Sequence, residues 1–160
     1  MNRAIGRPPA RKSRVRFGLI LLLVGLVVFL VGAKPSLFGL DRSPITGFLQ
    51  ISVFLLGLGL ICIGGFISLN SLWNGNQKTI AADIGFRLVA TGYVISAASG
   101  MADVFGFGSH PFPSIPYFGP WQAVGVMVGE VIISVGFLLL IPPFRKRKET
   151  PPPEEGAQEE

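Results

Sequence analysis

Residues 46–69, TGFLQISVFLLGLGLICIGGFISL, decide the fold of this chain, because 24 consecutive residues carry no charged side chain. A helix of roughly 20 mostly apolar residues crosses the hydrocarbon core of a bilayer, which is about 30 Å thick. Comparable apolar stretches lie at residues 17–33, 80–104 and 121–141. The sequence therefore predicts an all-α integral membrane protein, a bundle of four transmembrane helices.

The composition supports one membrane domain. Hydrophobic residues make up 49% of the chain, charged residues only 14%, and the mean hydropathy is +0.57, which argues against a soluble domain. We divide the chain into a membrane domain at residues 17–144 and two tails, residues 1–16 and 145–160. Charges and prolines predict that both tails are disordered.

The net charge of +5 is concentrated in the N-terminal tail. Residues 1–16 carry six basic and no acidic groups, residues 17–144 carry four of each, and residues 145–160 carry four basic and five acidic groups. Basic residues beside membrane helices favour the cytoplasmic side, and residues 106–120 contain no Lys or Arg. We therefore expect a multi-pass protein of the plasma (inner) membrane with both termini in the cytoplasm. Its partner is the lipid bilayer, not nucleic acid.

The first apolar stretch has an alternative interpretation as a secretory signal peptide. Its basic start, its apolar core and Val31-Gly32-Ala33 resemble a signal with a cleavage site. The 17 apolar residues exceed the usual signal core of about 7 to 15, so we interpret the stretch as a retained helix. Cleavage would leave three spans and an outside N-terminus.

Glycine recurs at seven-residue spacing in every predicted span. A step of seven residues returns nearly to the same helix face. In lipid, small residues mark the faces where helices approach closely. The pattern therefore predicts a left-handed bundle with crossing angles near about +20°. The glycines concerned are Gly18, Gly25, Gly32, Gly57, Gly64, Gly85, Gly92, Gly129 and Gly136.

A weak internal repeat suggests two tandem helical hairpins. Gln50, Gly57 and Gly64 in the second span match Gln122, Gly129 and Gly136 in the fourth, at a constant offset of 72 residues. Parallel repeats of this kind occur in membrane proteins, although glycine-rich helices resemble one another easily. Gly125 and Gly129 form a GxxxG pair that favours a contact within the bundle over one between copies.

Glu130 is the only charged residue of the fourth span. An acidic side chain near the bilayer centre costs roughly 2.5 to 3.5 kcal/mol on insertion scales, so it usually has a partner or a function. One hypothesis is an intramembrane proton or ion site formed with Tyr93 and Arg87, and the other is a structural glutamate. Arg87 can instead form an interfacial ion pair with Asp83, four residues earlier.

The loop before the fourth span is unusually aromatic and rich in proline. Aromatic side chains favour the membrane interface, and four prolines prevent a regular helix. We favour a stiff cap on the outer leaflet, with a docking surface as the alternative. Its docking candidates are His110, Phe112, Tyr117, Phe118 and Trp121.

No pattern indicates catalysis. The chain has one His and one Cys and contains no catalytic or metal-binding motif, so we expect no enzyme, no cofactor and no metal. We expect a non-enzymatic accessory, assembly or docking subunit that binds other membrane subunits or itself. The alternative is a small oligomeric transporter or proton-coupled channel that uses Glu130.

Overall fold

The computed structural model describes residues 10–35, 39, 47–73, 77–107 and 118–142. Within these ranges the chain is helical and contains no strand. Each helix is long and apolar enough to cross a membrane, which confirms the prediction of an all-α protein with four potential spans. The helices are α1 (Ala10–Ala33), α2 (Phe48–Leu72), α3 (Ile80–Gly100) and α4 (Pro120–Leu140).

The starts of α3 and α4 follow from local capping. The backbone N–H of Ala82 donates to Thr79 Oγ1 at 3.3 Å, which satisfies one of the unpaired donors of the first turn. Pro120 occupies the first turn of α4, where a missing N–H costs nothing. Gly119 N donates to Gln122 Oε1 at 3.2 Å.

Two helix boundaries differ from the sequence prediction. The third helix ends at Gly100, whereas we expected it to reach residue 104; residues 101–106 form turns, and Gly106 has a positive φ of 81°. The first helix begins at Ala10, so residues 10–16 of the predicted disordered tail are helical. The other predicted tail residues, 1–9 and 145–160, lie outside the described part.

Helices α1 and α2 pack as an antiparallel pair. As residue numbers increase along α1, the numbers of the nearest α2 residues decrease. Gly18 lies beside Ser68, Gly25 beside Ile61 and Gly32 beside Phe54. A Cβ atom built on Gly25 would lie 2.7 Å from the backbone nitrogen of Ile61. Nothing larger than hydrogen fits at this point of the contact.

Helices α3 and α4 form a second antiparallel pair. A Cβ atom built on Gly85 would lie 2.6 Å from the carbonyl oxygen of Gly136, and one on Gly92 would lie 2.6 Å from that of Gly129. Ser96, which is fully buried, donates a hydrogen bond to the Val126 carbonyl at 3.3 Å. The two backbones are therefore in close approach along this hairpin as well.

The two hairpins meet through α2, which packs against α3 and, less extensively, against α4. Trp73, only 6% exposed, donates from Nε1 to the Leu140 carbonyl at 3.0 Å. Among the described residues, α1 makes no close backbone approach to α3 or α4. The bundle is therefore open between α1 and α4. Its shared buried cluster is Leu58, Cys62, Val89, Ile133 and Leu140.

The two ends of the bundle differ in their side chains. We call the end where α1 and α3 finish the aromatic end, because Phe107, Phe118 and Trp121 lie beside it. The opposite end, which carries Lys12, Arg14, Arg16 and Lys78, is called the basic end.

Candidate functional site

A cleft of about 330 Å³ lies between α1, α2 and α4, on the open side of the bundle. It occupies the half of the bundle near the aromatic end, because its lining comes from the last turns of α1 and the first turns of α2 and α4. α1 contributes Phe29, Gly32 and Ala33, α2 contributes Gln50, Ile51 and Phe54, and the remaining lining residues are Phe118, Ala123, Val126, Met127 and Glu130.

Glu130 marks the deepest position of α4 that lines the cleft. It lies ten residues after Pro120 and ten before Leu140, or about 15 Å from either helix end at a rise of 1.5 Å per residue. The buried face of α4 includes Val126, Gly129 and Ile133. Glu130 follows Gly129 in sequence and therefore lies about 100° further round the helix. This register places the partly buried Glu130 at the edge of the seam, facing the cleft.

The Glu130 carboxylate has no hydrogen bond or ion pair among the described residues. The hydrogen bond at this position involves the backbone, where Ser134 Oγ donates to the Glu130 carbonyl at 2.9 Å. Gln50 lines the same cleft from α2 and is its other side chain with hydrogen-bonding capacity. The cleft thus combines a carboxyl and an amide group with an otherwise apolar lining.

Aromatic rings form much of the wall of the cleft. The rings of Phe29 and Phe54 lie 4.8 Å apart between centroids, tilted by 38°, within the range of favourable aromatic pairs. Phe118 lines the cleft at the aromatic end. This site can accommodate an apolar group and offer both a π face and a carboxyl oxygen to it.

The structure does not bring Tyr93 and Arg87 to Glu130. Tyr93 lines a second, almost entirely apolar cavity of about 270 Å³ on the other side of α2, together with Gly59 and Cys62. Arg87 Nη2 lies 2.9 Å from Asp83 Oδ2, with the two side chains 76% and 57% exposed. The ion pair named as an alternative for Arg87 is therefore present, and the three-residue site is not.

Among the described residues, the second cavity is lined mainly by apolar groups, with the side chains of Tyr93 and Cys62. The rings of Phe66 and Phe86 lie 4.7 Å apart, and the ammonium group of Lys78 lies 5.6 Å from the centroid of the Phe66 ring. Cys62 is a free, buried thiol, which behaves as a small apolar residue in such a setting. No group of three potential metal ligands occurs in the described ranges.

Two of the five predicted docking residues, Phe118 and Trp121, belong to the described part of the chain. His110, Phe112 and Tyr117 lie outside the described residues. Phe118 lines the cleft, and Trp121 is 82% exposed. Phe118, which follows the undescribed part of the loop, therefore lies at the cleft, a connection that the sequence did not indicate.

Two residues gain a role only from the structure. Gln50, which the sequence marks only through the repeat, lines the cleft opposite α4. Trp73, which follows α2, joins the two hairpins at the basic end through its bond to Leu140. A buried Trp usually needs an acceptor for its indole N–H, but the sequence does not show that Trp73 is buried.

Comparisons with protein-family models, with curated proteins and with solved structures found no match.

Proposed function

We propose that this protein is a non-enzymatic accessory or docking subunit of a larger membrane assembly. The observation that supports this most directly is that α1 packs against α2 alone among the described helices. The outward face of α1 consists of large apolar residues such as Phe17, Ile20 and Leu23, all exposed in the isolated chain. A partner helix that packs against this face would gain dispersion contacts in place of lipid.

The aromatic end offers a second contact region for a partner. Phe107 is 88% exposed and lies at the same end as Trp121. Aromatic residues are enriched in the buried centres of protein interfaces, although a position at the membrane interface also suits them. Together with α1, this end would give a partner both intramembrane and extramembrane contacts.

We further propose that glycine contacts make each hairpin a rigid unit within a left-handed, two-plus-two arrangement. Gly57 and Gly64 face α1, and Gly129 and Gly136 face α3. The glycines matched at an offset of 72 thus serve the same kind of contact in both hairpins, whereas Gln50 lines the cleft and Gln122 accepts a hydrogen bond from Gly119 N. This equivalence supports an internal repeat.

The proposed orientation has the basic end in the cytoplasm of a plasma-membrane protein. In a Cys62→Ala background, we expect Gln77→Cys to react with an impermeant maleimide only from the cytoplasmic side, and Phe107→Cys only from outside. Both positions are exposed, and Cys62 is buried. Labelling intact cells and inverted vesicles measures this, and the opposite pattern would reverse the topology.

The docking proposal is tested by purification from the native membrane in several mild detergents, followed by mass spectrometry. We expect at least one other membrane protein to co-purify in a fixed ratio. Ile20→Ala and Leu23→Ala, combined on the outward face of α1, should weaken that recovery. Val131→Ala and Leu138→Ala on the exposed side of α4 are the matched control and should not. Recovery as a lone monomer in every detergent would refute the proposal.

The same purification distinguishes the second candidate function, a small oligomeric transporter or proton-coupled channel. This candidate is favoured by the cleft that ends at Glu130 near mid-membrane. Four helices offer little room for a pathway, so it requires several copies of this chain. Recovery of a homo-oligomer without other subunits, with proteoliposome flux that Glu130→Gln abolishes, would favour transport over docking.

A further inference from the structure

We propose that the cleft between α1, α2 and α4 binds a lipophilic organic cation, with the Glu130 carboxylate as its counter-ion. This inference does not depend on the docking role, because the cleft is formed by a single chain. It assigns a ligand class to a site that lies apart from the outward face of α1.

Charge is the first argument. Glu130 sits at the centre of α4, and its carboxylate has no hydrogen bond or ion pair among the residues that the structure describes. An unpaired carboxylate in a low-dielectric medium is costly, and a cation held beside it offsets much of that cost. Within the described ranges no side chain that lines the cleft is basic, so among these residues only an occupant can supply the compensating charge.

The aromatic lining of the cleft favours an organic cation over a metal ion. Phe29, Phe54 and Phe118 line the cleft with Glu130, and aromatic faces attract a positive charge most strongly when it is desolvated. A strongly hydrated metal ion needs several oxygen ligands, whereas this lining provides one carboxylate and the Gln50 amide. A cation with apolar substituents can pack against the aromatic rings and pair with the Glu130 carboxylate.

The shape and access of the cleft fit such a ligand. Its volume of about 330 Å³ lies at the lower end of the range of small-molecule sites. The missing contact between α1 and α4 opens it sideways, toward the lipid, where a lipophilic cation partitions. Towards the basic end, the buried cluster that includes Leu58, Cys62 and Ile133 closes the space between the hairpins.

A second copy of the chain is a poorer occupant. Within the described helices, Arg87 is the cation nearest in depth to Glu130, and its guanidinium already pairs with Asp83 at 2.9 Å. A basic side chain from a different protein would fill the cleft only in the assembly, where it would exclude a small cation. Comparing probe binding by the purified chain and by the co-purified assembly separates these cases.

The test is titration calorimetry of the purified full chain in zwitterionic lipid nanodiscs, with empty nanodiscs as the baseline. The probes are tetraphenylphosphonium and its uncharged relative triphenylphosphine oxide. We expect saturable binding of the cation and at least tenfold weaker binding of the neutral compound. Glu130→Gln should weaken cation binding at least tenfold, whereas Asp83→Asn, which removes an exposed acid, should leave it unchanged.

Two further variants, one in the cleft and one in the second cavity, test the proposal if Glu130→Gln fails to fold. Ala123→Phe narrows the cleft and keeps Glu130, so it should also weaken binding at least tenfold. Ala90→Phe makes the same change in the second cavity and should bind as the parent does. Equal affinity for both probes, no saturable binding of the cation, or equal binding by the Ala123 and Ala90 variants would overturn the proposal.

Discussion

Gly57→Ala is expected to lower the free energy of unfolding by about 3 kcal/mol, at the upper end of the cost of overpacking. A Cβ atom at residue 57 would collide with the backbone nitrogen and Cα of Phe29 on α1. Backbone atoms cannot move aside as a side chain can, so the two helices must separate and lose dispersion contacts along their seam. Reversible unfolding by SDS in mixed micelles measures the change.

Gly59→Ala is the matched control on the same helix. A Cβ atom at residue 59 would lie 3.1 Å from the hydroxyl oxygen of Tyr93, the far end of a side chain that can rotate away. Both substitutions replace Gly by Ala within α2, so any gain in helix propensity, about 1 kcal/mol in water, is shared. We expect a loss of less than about 1 kcal/mol for Gly59→Ala. Equal losses for the two variants would refute the close-packing account of Gly57.

Trp73→Ala is expected to cost about 3 to 5 kcal/mol, the range typical of a buried aromatic truncated to alanine. Its ring is buried between the hairpins, and its indole N–H donates to the last turn of α4 through the Leu140 carbonyl. Because the packing between the hairpins is much less extensive than the packing within each hairpin, we expect the hairpins to move apart. Spin labels on α1 and α4, measured by pulsed EPR, should report a longer and broader distance distribution.

The other tryptophan of the chain supplies the control. Trp121 is 82% exposed, so Trp121→Ala should change stability by less than about 0.5 kcal/mol. Trp73→Phe keeps an aromatic ring but removes the indole N–H and part of the buried ring volume, and it should cost an intermediate amount, about 1 to 3 kcal/mol. If Trp73→Ala and Trp121→Ala behaved alike, the proposed clamp between the hairpins would not exist.

The helices were predictable because their signal is local. A run of about 20 apolar residues needs no knowledge of its neighbours to indicate a span, and residues 46–69 lie almost entirely within α2. The end of α3 was harder to predict from the sequence, because residues 101–104 are apolar apart from Asp103. That residue is buried in the turn that follows the helix. Hydropathy cannot distinguish a buried turn from a last helical turn.

The candidate site was only half predictable. Glu130 stands out in sequence because a charge in an apolar span is rare. Its neighbours do not, because Gln50 and Phe29 are 80 and 101 residues away and reach it only through the relative placement of two hairpins. That placement depends on contacts such as the Trp73–Leu140 hydrogen bond and the packing of Phe137 on Gly65. Single contacts of this kind do not produce a periodic pattern in the sequence. Tyr93 was predicted beside Glu130 because the two residues lie at a similar depth in their spans. A similar depth does not determine which face of its helix a residue occupies.

The pairing of each helix with its immediate successor has a consequence for biosynthesis. α1 meets its principal partner as soon as α2 enters the membrane, and the same holds for α3 and α4, so the extensive contacts are between segments that are adjacent along the chain. Loop closure over such short separations costs little entropy, and stable helices can associate within the bilayer after insertion. Assembly can therefore proceed as two early local pairings and one late docking step, in which the indole of Trp73 reaches a carbonyl made 67 residues later. Until that step, the nascent N-terminal hairpin exposes its inter-hairpin face to lipid and to neighbouring proteins.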